Sequence, residues 1–200
     1  MKIETFHIEQ LEASCKLALL ARDMPGRTMD LAELDKPIAL TQETRDQLPP
    51  MSGETRERLE DKGYPDSVLE AIGSDAEARI YEGAGLEPDV VNGTDTLIRT
   101  DIDYDKQDVM GESNLERMKK GRPPIGPDDK PVELHHIGQK PDAPLAELSF
   151  AEHHQGGNDS ILHNKVKESE IDRGDFNEAR KEYWKARAEQ IENERAEGNT

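Results

Sequence analysis

The stretch Glu133-Leu134-His135-His136-Ile137-Gly138-Gln139 decides the fold of this 200-residue chain and points to its chemistry. Val132 to Ile137 has strand character, and Gly138 permits the chain to bend directly afterwards. Neighbouring side chains of a strand point to opposite faces. His135 and His136 are therefore expected to diverge unless the strand ends or twists there. One imidazole can then bind a metal ion while the other contacts a water molecule.

More histidines follow this strand at a short distance along the chain. Five of the six histidines lie between positions 135 and 163. Ser149 and Glu152 have the spacing of a capping box, which predicts that His153 and His154 lie in the first turns of a helix. Because neutral imidazole is a common ligand of transition metals, a ββα unit that returns His153 and His163 to His135 would form a metal site.

Elements on the amino-terminal side of the histidines form a helix-plus-hairpin pattern. Asn92-Gly93 is the strongest short hairpin signal, and it joins predicted strands at 88–91 and 96–99. The predicted helices are short and begin near Glu54, Pro65, Ser74 and Asn114, with Ser74 and Glu77 spaced as a capping box. Leu145 to Phe150 is expected to be a second short strand or a turn into a helix.

The two ends of the chain differ in how clearly they are patterned. Asp175 to about Arg195 is predicted to be a long charged helix with a partial apolar stripe, in which Tyr183 and Trp184 are packing residues. Residues 1–60 have the least clear sequence pattern. They are expected to contain a helix at 8–22 and a linker at 23–53.

The pair His135-His136 suits hydrolysis of a phosphodiester bond. A metal ion neutralises charge on the transition state and on the leaving oxygen, while a neutral histidine accepts the proton of the attacking water. Metal ligand and base must be neighbours because the water and the metal contact the same phosphate. A structural zinc site would need no spare histidine beside the ligand, so the adjacent pair favours an enzyme.

Taken together, six sequence motifs resemble the LHH family, a branch of the HNH/endonuclease VII (His-Me finger) nucleases that occurs as the C-terminal toxin domain of bacterial polymorphic toxins. The motifs are Asn-Leu-Glu-Arg-Met (114–118), Gly-Arg-Pro-Pro-Ile (121–125), Glu-Leu-His-His-Ile-Gly-Gln (133–139), Pro-Leu-Ala-Glu-Leu (144–148), Glu-His-His (152–154) and Ile-Leu-His (161–163).

The resemblance implies roles for individual residues. It implies that His135, His153 and His163 are metal ligands, with His153 a better match to the family than His154. It implies that His136 is the general base and that Asn158 holds the loop that orients it. The implied cofactor is one divalent metal ion, Mg²⁺, Mn²⁺, Zn²⁺ or Ni²⁺.

The resulting fold class is α+β, a ββα-metal core with flanking helices and a mostly helical amino-terminal region. We expect a poorly defined region with a linker at 1–62 and a helix-plus-hairpin unit at 63–112. A nuclease domain at 113–200 is expected to end in the long charged helix.

Charge argues against nonspecific affinity for nucleic acid from the chain as a whole. The formal net charge is −18, of which −14 falls on residues 1–112 and −4 on residues 113–200. A small basic run precedes the histidines and is open to two interpretations, phosphate contacts or a solvated face; it comprises Arg117, Lys119, Lys120 and Arg122. Two alternatives stay open, an acidic DNA mimic or inhibitor suggested by the charge and a non-catalytic, His-rich zinc module suggested by the histidine cluster.

Partners and location follow from the same features. Nucleic acid is the expected substrate, with DNA favoured over RNA, and the resemblance implies a cognate immunity protein. No apolar run is long enough to span a membrane, so no membrane partner is expected. The start of the chain is not a convincing signal peptide. This predicts a cytoplasmic chain unless a route not encoded in it delivers it into target cells. The single cysteine, Cys15, excludes an internal disulfide and a cysteine-based zinc cluster within one chain.

Overall fold

A computed structural model of the protein describes residues 48–164, 171 and 173–198, which belong to one compact unit, Pro37–Thr200. The helix predicted at 8–22, Cys15 and nearly all of the linker predicted at 23–53 lie outside the described residues. The same holds for most of the amino-terminal region that was expected to be helical.

The order of elements is three helices, a hairpin, a fourth helix, two strands and three further helices. The helices are α1 (Gly53–Asp61), α2 (Asp66–Ala71), α3 (Asp75–Gly83), α4 (Asn114–Lys119), α5 (Phe150–His154), α6 (Asn158–Leu162) and α7 (Arg173–Gly198). The strands are β1 (Glu87–Val91), β2 (Thr94–Ile98), β3 (Glu133–His136) and β4 (Leu145–Leu148), and a 3₁₀ turn, Ile137–Gln139, follows β3.

The four strands form one sheet in the order β1-β2-β4-β3. The pairs β1/β2 and β3/β4 are antiparallel, whereas β2 and β4 are parallel. Strands β3 and β4 lead directly into α5, which is the ββα order expected from the sequence, and the predicted α+β class is confirmed. The sheet joins the hairpin of the predicted 63–112 unit to strands of the predicted 113–200 domain; the boundaries between these units stay predictions.

Local signals in the sequence form the turns and helix starts for identifiable reasons. Asn92 and Gly93 both have positive φ angles, 51° and 77°, as a two-residue hairpin turn with the right twist requires. Ser113 and Ser149 begin α4 and α5 with complete capping boxes. Ser74 caps α3 by accepting a hydrogen bond from the backbone of Glu77. The Glu77 carboxylate accepts from the backbone N–H of Gly73 and from the hydroxyl of Tyr81.

Two hydrophobic cores lie on the two faces of the sheet. On one face, Leu97, Ala146 and Leu148 pack with residues of α1, α2, α3 and α6. On the other face, Leu134 and Ile98 pack with α4 and α7. The prediction that Tyr183 and Trp184 are packing residues is confirmed, because both are buried in this second core. Because side chains alternate along β3, neighbouring residues of this strand face opposite sides of the sheet. Among the described residues, no helix has both the length and the apolar character needed to cross a lipid bilayer.

The turn after the histidine pair depends on Gly138. Its φ angle is +76°, and a Cβ atom there would lie 2.9 Å from the carbonyl oxygen of Ala71 in α2. We expect Gly138→Ala to lower the free energy of unfolding by about 2–4 kcal/mol, because it combines a left-handed backbone with a steric clash. Gly156→Ala is the matched control: its φ is +65° with nothing within 4 Å. It should cost only about 1–2 kcal/mol. Equal losses in urea unfolding would contradict the clash.

Candidate functional site

Three histidines from three different elements converge on the face of the sheet that carries α5 and α6. His135 comes from β3, His153 from α5, and His163 is the residue that ends α6. The Nε2 atom of His153 lies 3.3 Å from Nδ1 of His135 and 3.1 Å from Nε2 of His163. One ring nitrogen from each side chain therefore faces a common point.

Carboxylates orient two of these three imidazoles by contacting the ring nitrogen that does not face the common point. The Nδ1–H of His153 donates to Oε2 of Glu133 at 2.5 Å, and Nδ1 of His163 lies 3.0 Å from Oδ1 of Asp159 and 3.2 Å from its carbonyl oxygen. Acceptors at Nδ1 fix the proton on that nitrogen, so the lone pair is on Nε2. The hydrogen bond from His153 also lowers the pKa of the Glu133 carboxyl group.

This arrangement suits a cation between the rings. The lone pairs on Nε2 of His153 and Nε2 of His163 face each other at 3.1 Å, with Nδ1 of His135 beside them. A single proton bridges two nitrogens, whereas a metal ion accepts three at once. Nitrogens that each lie about 2.0–2.1 Å from a tetrahedral Zn²⁺ are about 3.3 Å apart, close to the separations here. Burial also lowers the pKa of His163, which favours the neutral, ligating form.

His154 lies next to this cluster but outside it. Its Nε2 atom lies 2.7 Å from the same Glu133 oxygen that binds His153, and its ring is partly exposed. Glu133, His153 and His154 are close enough to form a second metal-binding group. That group would need Nδ1 of His153, which already donates its proton to Glu133. The structure thus brings His153, and not His154, together with His135 and His163.

His136 points away from the three clustered histidines. As the last residue of β3, it lies on the opposite face of the sheet, where its ring packs against Phe176 of α7 with centroids 4.5 Å apart. It lines a cavity of about 160 Å³ together with Leu134 and Arg180. Burial lowers the pKa of His136, so its imidazole is neutral at pH 7. The divergence of the two adjacent histidines, expected from strand geometry, is what the structure has.

Asn158 is the first residue of α6 and lies between His153 and His163 in the sequence. Its side-chain Nδ2–H donates to the carbonyl oxygen of Glu152 at 2.7 Å. This bond ties the start of α6 to α5, the helix that carries His153. Asn158 therefore braces the link between two of the clustered histidines, whereas the loop after His136 makes a separate contact, from Oε1 of Gln139 to the backbone N–H of Asn164.

The basic run before the histidines is neutralised within the chain. Arg117 pairs with Asp108, Lys119 with Glu192, and both Lys120 and Arg122 with Glu112. Of the two interpretations left open by the sequence, phosphate contacts would require these ion pairs to break. The ion pairs therefore favour the other interpretation, in which these four basic residues form a structural, solvated face.

Sequence reasoning missed the two carboxylates that orient the histidines. Glu133 lies two residues before His135, and the strand period of two places both on one face. Asp159 lies four residues before His163, one helical turn away. Both spacings were visible in the sequence, but they gain meaning only once His153 and His163 are known to lie beside them.

Glu133 offers a direct test of how the site is oriented. We expect Glu133→Gln to weaken Zn²⁺ affinity by about 10–100-fold, because the charged acceptor behind His153 is lost. Isothermal titration of EDTA-stripped protein with Zn²⁺ measures this. Glu192→Gln, which removes the exposed partner of Lys119, is the matched control and should leave the affinity unchanged. An unchanged affinity in Glu133→Gln would show that this carboxylate does not orient a metal ligand.

Comparison with known families gives a match to the part of the chain that carries these histidines. Residues 113–190 match the model of the family LHH, described as a nuclease of the HNH/ENDO VII superfamily with conserved LHH. The matched range includes Leu134-His135-His136 and all of the other clustered histidines. No solved structure matches the chain.

Proposed function

Because residues 113–190 belong to the LHH family of HNH/endonuclease VII nucleases, we propose that the protein is a metal-dependent endonuclease that hydrolyses phosphodiester bonds of DNA. The observation that carries the metal dependence is the convergence of His135, His153 and His163 with two Nδ1 atoms held by carboxylates. A non-catalytic zinc module would not use the neutral histidine that follows His135 in the sequence.

In this proposal His135, His153 and His163 hold the divalent ion. When bound, the ion supplies positive charge to the phosphate and to the leaving oxygen. Glu133 and Asp159 keep two of the imidazoles in the ligating tautomer. Three imidazoles favour a borderline ion such as Zn²⁺ or Ni²⁺ in the isolated protein. Mg²⁺ and Mn²⁺ remain candidates for the ion in the substrate complex, where phosphate and water add oxygen ligands.

The residue proposed to accept the proton of the attacking water is His136. Its imidazole is neutral at pH 7 because burial lowers its pKa. His135 and His136 leave β3 on opposite faces, so the scissile phosphate has to lie at the end of this strand to reach both. Asn158 contributes as a positioning residue that holds α5 and α6 together.

The biological role is proposed from the resemblance to polymorphic-toxin domains. On that basis the protein acts as a toxin or effector, delivered by other components and restrained by a cognate immunity protein. The acidic residues 1–112 are proposed to offset or shield the catalytic face. Neutralising substitutions at exposed acidic residues of this part, such as Glu57→Gln with Glu70→Gln, should then raise DNA affinity at fixed low salt, and unchanged affinity would contradict the shielding.

The experiment that tests the function is cleavage of supercoiled plasmid and of a structured RNA by EDTA-stripped protein, with Mg²⁺, Mn²⁺, Ni²⁺ or Zn²⁺ added back. We expect nicking of the plasmid only with added metal. Cleavage of RNA alone would move the substrate from DNA to RNA. Zinc binding without cleavage of either substrate would favour the structural module.

A further inference from the structure

The cavity beside His136 has the size and lining of a binding site for one ring. It has a volume of about 160 Å³, is partly open to solvent, and lies between the β1–β2 turn, the chain after the 3₁₀ turn, and α7. An apolar cavity of about 150 Å³ engineered into another protein holds a benzene molecule. A single six-membered ring, such as that of a pyrimidine, therefore fits this cavity.

The lining combines an aromatic face with hydrogen-bonding groups. The ring of Phe176 forms one wall, and Asn92, Thr94 and Asp142 add an amide, a hydroxyl and a carboxylate. Nucleobases stack on aromatic side chains and form hydrogen bonds along their edges, so a lining of this kind suits a base better than a purely apolar ligand. Asn92 is held at φ +51° in the tight β1–β2 turn, which fixes its backbone in place.

A cation stands at the same cavity. Arg180 lies 5.9 Å from the ring of Phe176 and donates a hydrogen bond to the side-chain oxygen of Asn177. Within residues 48–164, 171 and 173–198, no carboxylate forms an ion pair with Arg180, in contrast to Arg117, Lys119, Lys120 and Arg122. Its guanidinium is thus available for a phosphate of the strand whose base enters the cavity.

From these observations we infer that the cavity is a nucleobase subsite that accepts a pyrimidine of the substrate strand, next to the phosphate that is cut. This inference rests on the proposed nuclease function, because His136 forms part of the wall. His136 and Arg180 both line the cavity beside Phe176, so the phosphate attached to a base held there is within reach of both side chains. The protein should therefore cut preferentially next to pyrimidines.

The test fills the cavity while leaving His136 and the clustered histidines themselves unsubstituted. Ala179 is an exposed residue of α7 that lines the cavity, so Ala179→Phe should occupy the space of the base. Ala196→Phe places the same side chain on an exposed position of the same helix away from the cavity. Phe176→Leu keeps an apolar side chain on α7 and removes the stacking ring.

Two measurements separate this subsite from the nuclease activity. The first is the affinity of EDTA-treated full-length protein for oligothymidylate and oligoadenylate of equal length, at fixed low salt, by fluorescence anisotropy. We expect tighter binding of oligothymidylate by about tenfold, lost in Ala179→Phe and Phe176→Leu and kept in Ala196→Phe. The second is the base composition at mapped cleavage sites, where pyrimidines should predominate for the wild type.

Each outcome has a defined meaning. Equal affinity for the two oligonucleotides, or a preference that survives in Ala179→Phe, would overturn the subsite even if the protein cuts plasmid. A thymidylate preference lost in Ala179→Phe would support the subsite even if no cleavage were found, and the proposed nuclease function would then fail by itself.

Discussion

His136→Ala is expected to reduce the rate of plasmid cleavage by about 10²–10⁴-fold while leaving metal affinity at the wild-type value. The physical reason is that the two adjacent histidines at the end of β3 have separate roles. His135 faces the clustered histidines, whereas His136 faces the other side of the sheet and touches none of them in the described contacts. Loss of its imidazole therefore removes a proton acceptor and no ligand. The rate and the Zn²⁺ titration are measured on the same preparation.

His154→Ala is the matched control for this experiment. His154 is a partly exposed histidine that lies outside the converging group, so its loss should change the rate by less than about tenfold. Wild-type cleavage by His136→Ala would rule out the base assignment. A large loss in His154→Ala with full activity in His136→Ala would move the role to His154.

The pH profile gives a second readout for His136. A general base must be neutral, and burial lowers the pKa of this imidazole below its usual value. The acidic limb of the rate profile should therefore lie below the ordinary histidine pKa of about 6.5, so that activity is retained into mildly acidic solution. In His136→Ala this limb should disappear from the residual rate. An acidic limb above the ordinary histidine value would contradict a buried base.

His135→Ala is expected to remove both metal binding and cleavage. The side chain is buried, and its Nδ1 atom is one of the three nitrogens that face the common point. Loss of a ligand should weaken Zn²⁺ binding more than loss of an orienting carboxylate does, so Zn²⁺ affinity should fall by more than about 100-fold. The rate of cleavage should fall at least as far.

Because a buried histidine can also support the fold, the test of this ligand includes His163→Ala. His163 is only partly buried at the end of α6, and its loss should leave the urea midpoint of the metal-free protein nearly unchanged. The same loss of Zn²⁺ affinity is expected. Wild-type affinity in either folded variant would contradict the three-histidine site.

Much of the local structure could be predicted from sequence because it depends on neighbouring residues. The hairpin at Asn92-Gly93 and the capped starts of α4 and α5 each need only a few consecutive side chains. The opposite directions of His135 and His136 also follow from the period of a strand. These are short-range effects, in which the identity of each residue fixes its own backbone or that of the next turn.

The arrangement of these elements depends on contacts between distant residues and was not predictable in the same way. The parallel pairing of β2 with β4 joins Thr96 to Leu145 across the chain. The ion pair of Lys119 with Glu192 changes the meaning of the basic run, and it exists only because α7 packs on α4. Nothing in the local pattern of either segment indicates its partner.

The candidate site lies between these two cases. The clustered histidines could be selected from the sequence, because their residue type and the family motifs single them out. The roles of Glu133 and Asp159 could not, since acidic residues are abundant in a chain of net charge −18. Asn158 could likewise be selected by its type and position, whereas its hydrogen bond to the carbonyl oxygen of Glu152 depends on how α6 packs against α5.

The central claim is that one metal ion, held by His135, His153 and His163, is required for cleavage. The most direct measurement is the initial rate of plasmid nicking by EDTA-stripped full-length protein as the divalent ion that best restores activity is titrated back under tight-binding conditions. The account predicts no cleavage without metal, a linear rise in rate, and a plateau at one metal ion per chain. Cleavage by the stripped protein at the full rate, or a rate that metal does not change, would contradict it.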